Sequence, residues 1–306
     1  MNNYSTETKK RFCKDFDIPI KIFSEPYWSY LTNLYENYFG LSDKFALLDE
    51  EISKCNSEQE FLDKMFHLRD DIITKTKETD VYKHFLEMDM NKYGVKTKYS
   101  SKHIYNNQNI GQVFISIDLV KANFQALKYI DKELVFGSKT YGEYLGRFTD
   151  SKYLKESKRL RQVIFGNMNP KRQVTVEKFL MKQVLDLLER KYELGTIVSF
   201  SNDEIIYQAD DFVAEYLTNF LPENIKNIVK TNLGLDVRVE IFKLCKIENS
   251  DFYVKENVNT NNYKLMCVSS NYFPQAYKKY NGLEIIDMDL AFWYENQLCK
   301  FINPLF

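Results

Sequence analysis

Three acidic residues occupy positions that suit a metal site. Asp118 directly follows Gln112–Ile117 (QVFISI), a short apolar run rich in β-branched residues that predicts a buried strand. Asp203 and Glu204 are adjacent and lie at the tip of a predicted β-hairpin. If the two strands are neighbours in one sheet, the three carboxylates converge at one edge, where their mutual repulsion favours a bound cation.

Phosphoryl transfer is the chemistry that uses such an arrangement. Two Mg²⁺ ions, roughly 3.5–4 Å apart, stabilise the attacking and leaving oxygens of an in-line displacement. The three histidines and five cysteines are scattered, with no Cys-x-x-Cys pair, so neither a structural zinc site nor a disulfide framework is expected. Carboxylate ligands suit Mg²⁺ or Mn²⁺. We therefore predict Mg²⁺ (or Mn²⁺) as the cofactor, with catalytic and metal-binding roles for Asp118, Asp203 and Glu204.

Basic residues are concentrated between Asp118 and the predicted hairpin. Residues 147–191 contain twelve Lys or Arg and five Asp or Glu, although the whole chain has a net charge of −1. A local surplus of this kind is typical of a phosphate-binding surface; a solvated helix face is the alternative. From this segment we predict contacts with phosphate or nucleic acid by Arg159, Arg161, Lys171 and Arg172.

The hydrophobic periodicity predicts an α+β fold. Between residues 110 and 250 the predicted order is a strand (112–117), a helix carrying Leu119 to Ile130, an irregular basic stretch, a helix (about Val174 to Lys191), a hairpin (Thr196–Phe200 and Ile205–Tyr207), a helix (Asp211 to about Lys230) and a strand (Val237–Ile247). This order corresponds to a split βαβ sheet, antiparallel and palm-like, with helices on one face.

The flanking regions differ from this core. Residues 1–109 show mostly helical spacing and end in a polar, basic loop, Tyr93–Asn109. Residues 251–306 predict two short strands and a final helix that Asp289 caps and that carries Leu290, Trp293, Leu298 and Phe301. The predicted domains are thus residues 1–109, a catalytic core at 110–250 with a basic finger insertion at 147–191, and residues 251–306.

The acidic motifs resemble those of right-hand palm polymerases. Ile115–Phe124 (ISIDLVKANF) is similar to motif A of reverse transcriptases, in which a strand ends in a metal-binding Asp and a helix follows. Ile197–Ile206 (IVSFSNDEII) is similar to their motif C, the hairpin with tandem acids, and its Asp-Glu order also resembles family A DNA polymerases. Reverse transcriptases usually carry two Asp there. The resemblance implies a nucleotidyl transferase in which Asp118, Asp203 and Glu204 are the metal-site acids.

Two further roles are implied by the same resemblance. Asn169-Pro170-Lys171-Arg172-Gln173, followed by a helix, is similar to motif B, which makes Gln173 a substrate-binding candidate; the glycine usual in that motif is missing. The residue five positions after the motif A Asp often packs beneath the incoming sugar in these polymerases, and here it is Asn123. Because an amide can hydrogen-bond a 2′-hydroxyl, we expect ribonucleotides to be accepted.

Other interpretations remain open. Nucleotide cyclases and tRNA guanylyltransferases also place an Asp-Glu pair on a hairpin, so another palm enzyme is one alternative. A non-catalytic nucleic-acid-binding protein is a second, because fold alone does not establish function. Taken singly, each acid also has a structural explanation: an Asp after a strand is common, Asn202-Asp203 is ordinary turn chemistry, and Asn123 suits a helix cap.

The expected surroundings follow from hydropathy. No apolar run approaches the roughly 20 residues needed to cross a bilayer. The N-terminus is polar and has no apolar core of a secretory signal. We therefore expect a soluble, cytoplasmic protein without a membrane partner, whose partners are nucleoside triphosphates and a nucleic-acid template or primer.

Overall fold

A computed structural model of the protein describes residues 4–209 and 220–306. Their helices, labelled in chain order, are α1 (Thr6–Asp15), α2 (Tyr27–Phe39), α3 (Leu41–Ile52), α4 (Glu58–Glu78), α5 (Asp80–Glu87), α6 (Ala122–Ile130), α7 (Tyr141–Gly146), α8 (Lys152–Glu156), α9 (Lys158–Gly166), α10 (Pro170–Glu189), α11 (Leu221–Leu233) and α12 (Phe273–Tyr280). Their strands are β1 (Val113–Leu119), β2 (Thr196–Phe200), β3 (Glu204–Gln208), β4 (Val237–Lys246), β5 (Tyr253–Asn257), β6 (Tyr263–Met266), β7 (Ala291–Tyr294) and β8 (Gln297–Lys300). The predicted α+β class, with a mostly helical N-terminal region, is confirmed.

The chain divides into two compact units, neither of them continuous in sequence. Unit 1 consists of Met1–Tyr82, Ser138–Met168 and Val268–Phe306, and unit 2 consists of Lys83–Gly137 and Asn169–Cys267. The basic segment 147–191 is therefore shared. Its first part, through Met168, belongs to unit 1, and its second part, which contains α10, belongs to unit 2.

Unit 2 is built on a six-stranded antiparallel sheet in the order β2-β3-β1-β4-β5-β6. The first four strands in this order form two interleaved βαβ connections. The segment from β1 to β2 includes α6 and α10, with α7 to α9 of unit 1 between them, and the segment from β3 to β4 includes α11. This is the predicted split βαβ topology. It places β1 between β3 and β4, at the centre of the sheet.

The two faces of this sheet have different character. On one face the helices α6, α10 and α11 cover a large apolar cluster that includes Ile115 and Ile117 of β1. Because side chains alternate along a strand, Ser116 and Asp118 point to the opposite face. There, a smaller cluster around Phe114 and Phe242 underlies a set of charged side chains. The helices thus pack against one face of the sheet, and the opposite face carries the polar and charged groups.

Serine and threonine side chains begin most helices of unit 1. The side-chain hydroxyl oxygens of five residues each accept a hydrogen bond from a backbone N–H in the first turn of a helix. These residues are Ser5, Ser57, Thr140, Ser151 and Ser157. Each such cap contributes about 1 kcal/mol to helix stability. The stretch after Arg147, predicted to be irregular, is therefore largely helical: the prediction is wrong because two of these caps begin α8 and α9.

A buried carboxylate fastens α1 to α8 and α9. Asp15 is fully buried, and its carboxylate accepts hydrogen bonds from the hydroxyls of Tyr153 (2.9 Å) and Ser157 and from Nε of Arg11 (2.9 Å). A buried charge with this many donors is satisfied, so the cluster holds the three helices in a fixed arrangement.

The predicted C-terminal helix is wrong. Residues 287–290 form a single 3-10 turn, and a two-stranded hairpin of β7 and β8 follows, in which Trp293 lies opposite Leu298. The turn residues Glu295 and Asn296 both have positive φ (47° and 61°), which is the geometry of a tight hairpin. Asp289 does not precede this turn but is its third residue, and its carboxylate accepts the N–H of Ile286, which occupies the capping position (2.8 Å). The apolar residues that suggested a helical stripe are cross-strand neighbours instead.

Other element boundaries shift by a few residues. Strand β1 continues through Leu119, so Asp118 lies within the strand and not after it. Helix α10 begins at Pro170, in place of about Val174, because Asn169 caps it and a proline suits the first helical position. The helix predicted from Asp211 falls partly on residues 210–219, outside the described residues; α11 occupies Leu221–Leu233.

Candidate active site

The sheet register brings the predicted acids together. In β1, Asp118 lies directly opposite Glu204 of β3 on one side and Arg238 of β4 on the other. The backbone N–H of Leu119 donates to the carbonyl oxygen of Asp203 (2.8 Å). This bond fixes the β2–β3 turn against the end of β1, so Asp203 and Asp118 occupy the same edge of the sheet.

Ser201 shapes the turn that presents Asp203. Its N–H donates to the carbonyl oxygen of Glu204 (2.8 Å), and its hydroxyl oxygen accepts the N–H of Glu204 (3.1 Å). The same hydroxyl lies 3.3 Å from Oδ1 of Asp203. The turn chemistry of Ser201-Asn202-Asp203 therefore does more than reverse the chain, because it also orients the carboxylate of Asp203.

The carboxyl group of Asp118 has a raised pKa. Burial raises the pKa of its carboxyl to about 6, against the lowering effect of the Arg238 guanidinium, and the neighbouring charges of Asp203, Glu204 and Glu240 raise it further. The guanidinium Nη2 of Arg238 lies 3.0 Å from Oδ2 of Asp118. A carboxylate in this environment is stabilised by an additional positive charge.

Glu204 and Glu240 extend the charged row across the open face. The hydroxyl of Ser116 donates to Oε1 of Glu204 (2.5 Å). Glu240 is bonded to Lys264 (2.6 Å) and lies 3.6 Å from Nε of Arg238. Acidic side chains thus occupy β3 and β1, and the basic side chains of Arg238 and Lys264 lie on β4 and β6, with Glu240 between them.

Glu177 is a site residue that the sequence reasoning missed. It lies on α10, only 4% exposed, and its Oε1 accepts a hydrogen bond from Nδ2 of Asn123 (2.8 Å). Burial raises the pKa of Glu177 to about 7, the charge of Asp203 raises it further, and the Asn123 bond opposes both. One signal was present in the sequence: Glu177 is an acid on the apolar face of α10, next to Val176 and one turn before Leu180 and Met181.

Asn123 is consequently not a helix cap. It lies within the first turn of α6, where Lys121 occupies the capping position. Its amide nitrogen points at Glu177, so its carbonyl oxygen points away from that carboxyl. The expected contact with an incoming sugar would therefore use the carbonyl oxygen as an acceptor.

The predicted basic contacts are dispersed. Lys171 is exposed at the start of α10, whereas the Arg172 guanidinium donates to the carbonyl oxygen of Met88 (2.7 Å). Gln173 is fully buried. Arg159 and Arg161 belong to unit 1, where the Arg161 guanidinium lies over the ring of Tyr141. Of the five predicted binding residues, Lys171, Arg172 and Gln173 lie on α10 within one to two turns of Glu177.

The donor set fits Mg²⁺ only in a particular way. Among the described residues, no three His, Cys, Asp or Glu side chains are grouped so that they could hold an ion between them. A cage made only of protein ligands is therefore not what this edge offers. Mg²⁺, however, is commonly bound through one or two carboxylates, with water and substrate phosphate supplying the remaining oxygens. Asp118 and Asp203, at one edge and electrostatically coupled, fit that description.

The substitution Glu177→Gln is expected to change how stability depends on pH. The pKa of Glu177 is about 7 in the folded chain against an ordinary value of 4.5, so the folded state binds more protons between these limits. The free energy of unfolding therefore falls as the pH rises from about 4.5 to 7, with an upper bound of roughly 3 kcal/mol. The burial of Asp118 acts in the same direction.

Urea unfolding in EDTA at pH 5 and pH 8 measures this effect. Glu177→Gln keeps an acceptor for Asn123 but removes the titration, so the stability lost between the two pH values should shrink. Glu193→Gln, an exposed position of the same unit, is the matched control and should behave as the wild type. Equal losses in all three proteins would contradict a titrating Glu177.

No helix among residues 4–209 and 220–306 is both long and apolar enough to span a membrane. Comparison of the chain with protein-family models, with curated proteins and with solved structures gives no match.

Proposed function

We propose that the protein is a metal-dependent nucleotidyl transferase of the right-hand palm type, which extends a nucleic-acid end from nucleoside triphosphates. The observation that carries the proposal is the meeting of Asp118 with Asp203 and Glu204 at one edge of an antiparallel sheet. The strand and hairpin that supply these acids are the ones whose sequences resemble motifs A and C of palm polymerases. The proposed partners are nucleoside triphosphates and a template or primer, and the proposed location is the cytoplasm.

Each residue of the edge has a distinct part in this proposal. Asp118 and Asp203 would hold Mg²⁺ (or Mn²⁺), which when bound stabilises the attacking and leaving oxygens of the displacement. The carboxylate of Glu204 accepts a hydrogen bond from the hydroxyl of Ser116 and would add negative charge beside the metal site. Arg238, whose side chain is 55% exposed, pairs with Asp118 and would contact a triphosphate once a cation bound that carboxylate.

The start of α10 offers groups that would favour a bound triphosphate. Lys171 is exposed there, and the first backbone N–H groups of a helix favour negative charge. Gln173 and Glu177 follow on the buried face of the same helix. In this arrangement the acids attract the cation and the helix end attracts the phosphates that the cation accompanies.

A primer-extension assay tests the proposal. Labelled NTPs and dNTPs are supplied with Mg²⁺ or Mn²⁺, with and without a template strand. Template-dependent extension would support a polymerase, whereas template-independent transfer or cyclisation would favour another palm enzyme. Failure to transfer any nucleotide to any acceptor, with either metal, would remove the proposal.

A non-catalytic nucleic-acid-binding protein is the second candidate, and one observation favours it. Asp118 already pairs with the guanidinium of Arg238, so part of the negative charge of the three acids is neutralised without a metal ion. Metal binding separates the two functions. Calorimetric titration with Mn²⁺ that shows no heat in the wild type would favour the binding protein, whereas saturable binding lost in Asp203→Ala would favour the enzyme.

Sugar selection provides a further prediction. We expect the wild type to use ribonucleotides, because Asn123 lies at the position that contacts the sugar in the resembling polymerases and offers an acceptor to a 2′-hydroxyl. A site built to pair a hydroxyl also discriminates against its absence, by roughly 1–3 kcal/mol. In Asn123→Tyr the ring would occupy the space of the 2′-hydroxyl, so NTP use should fall selectively. The kcat/KM ratio for NTP over dNTP, measured in both proteins and in Asn123→Ala, checks this; strong dNTP preference in the wild type would defeat it.

A further inference from the structure

A cavity of about 870 Å³ lies in unit 1, separate from the carboxylate edge of unit 2. One wall is the exposed face of α1, a second is the irregular segment 17–24, and a third is the start of α9. Ser270 and the β7–β8 hairpin, through Trp293 and Asn296, complete the lining. The volume lies in the range of small-molecule sites, which is roughly 300–1,000 Å³.

The lining is strongly basic. Four cationic side chains face the cavity: Lys10, Lys14, Lys21 and Arg159. None of the four has an ion pair among the described residues, while the one acidic residue of the lining, Asp17, is already paired with Lys158 (2.7 Å). Positive charges brought together in this way repel one another, so an anion bound between them is stabilised.

The cations are held in place by the fold. Lys10 and Lys14 are four residues apart on α1, a spacing that puts like charges on one helix face at a cost. The buried Asp15 cluster fixes α1 against α9, which carries Arg159. Lys21 is exposed because its neighbours Ile20 and Ile22 are buried in the core. The charges therefore converge through packing of the backbone and not through chance placement of flexible side chains.

The remaining lining residues indicate which chemical groups the bound anion has besides its negative charge. Trp293 is 39% exposed at the cavity, and a partly exposed indole offers a stacking surface for a base. Gln162 and Asn296 provide amide groups that can donate and accept hydrogen bonds. Cys13 does not supply reactivity, because burial raises the pKa of its thiol to about 12.

We propose that this cavity binds a nucleotide, with its phosphate between Lys10, Lys14, Lys21 and Arg159 and its base on Trp293. The nucleotide is either free or one residue of a single strand, since both present the same phosphate and base. The site does not depend on the function proposed for unit 2. Binding followed by quenching of Trp293 should therefore be unchanged in Asp118→Ala, which keeps a failure of this proposal distinguishable from a failure of the other.

Fluorescence titration of the full chain tests the site. The chain has two tryptophans, and Trp28 is buried, so quenching reports on Trp293. The probes are ATP, adenosine, tripolyphosphate and a fluorescein-labelled single-stranded 12-mer, the last followed by anisotropy. Lys14→Glu and Arg159→Glu should each weaken binding of ATP and of the 12-mer at least tenfold, and more at low salt. Lys77→Glu, an exposed lysine of α4 in the same unit, should change either affinity less than twofold.

The other probes show whether the cavity recognises the phosphate, the base or a longer single strand. Trp293→Ala removes the quenching signal, so ATP and tripolyphosphate are both measured in this variant by competition with the labelled 12-mer. ATP should bind more weakly than it does to the wild type, and tripolyphosphate should bind equally well. Tighter binding of the 12-mer than of ATP would identify a strand as the natural ligand, and the reverse order a free nucleotide. Adenosine binding as tightly as ATP, no saturation by any phosphate probe at about 1 mM, or equal affinities in Arg159→Glu and Lys77→Glu would overturn the proposal.

Discussion

Asp118→Ala and Asp203→Ala are each expected to abolish nucleotidyl transfer, with kcat/KM falling at least about 10³-fold, or roughly 4 kcal/mol of transition-state stabilisation. The two carboxylates are the groups that the sheet register and the turn bond of Leu119 place at one edge. Removal of either leaves a single acid for the cation. Glu204→Ala should cost less, about tenfold, because the carboxylate of Glu204 is directed at Ser116.

These variants should remain folded. The raised pKa of Asp118 means that its ionised form is disfavoured by burial, so its loss does not remove a stabilising charge. Arg238, left without this partner, is more than half exposed and is solvated. Asp251→Ala, a fully exposed acid between β4 and β5, is the matched control and should keep wild-type turnover. Thermal melts accompany the primer-extension rates; near-wild-type turnover in either Asp118→Ala or Asp203→Ala would end the two-metal assignment.

Gly195→Ala is expected to cause the largest loss of stability from a single methyl group. Gly195 precedes β2 with φ of +102°, and a Cβ there would lie 2.1 Å from the carbonyl oxygen of Gln208 and 3.2 Å from Cα of Ala209. Both contacts are with backbone of the neighbouring strand, which cannot rotate away. Backbone strain of about 1–3 kcal/mol and overpacking of about 1–3 kcal/mol together predict a loss of roughly 4 kcal/mol in the free energy of unfolding.

Gly111→Ala separates strain from collision. Gly111 also has a positive φ (+83°) and also precedes a strand of the same sheet, but a Cβ there meets nothing within 4 Å. Gly111→Ala should therefore lower the free energy of unfolding only by the cost of backbone strain, about 1–2 kcal/mol. Urea unfolding followed by circular dichroism compares the two variants. If they were equally destabilised, the close approach of Gly195 to β3 would have no energetic consequence.

The sequence by itself determined the local elements that carry the acids. The apolar run before Asp118 is short and rich in β-branched residues, which favours a buried strand over a helix. Turn residues between two further apolar runs determined the hairpin with Asp203 and Glu204. The apolar stripe of α10 has a period of 3.6 residues, which determined that helix. These features are set by neighbours within a few residues, so they are readable along the chain.

Only the tertiary structure decided what surrounds those acids. Arg238 lies beside Asp118 because β4 pairs with β1, and Glu177 reaches Asn123 across 54 residues of chain. The division of the basic segment, which assigns Arg159 to a cavity of unit 1, is likewise invisible in a local pattern. The hairpin at 291–300 shows the same limit, because its apolar residues fit a helical period until strand pairing places Trp293 opposite Leu298. Such contacts are chosen by which faces bury one another, a property of the whole packed chain and not of any segment of it.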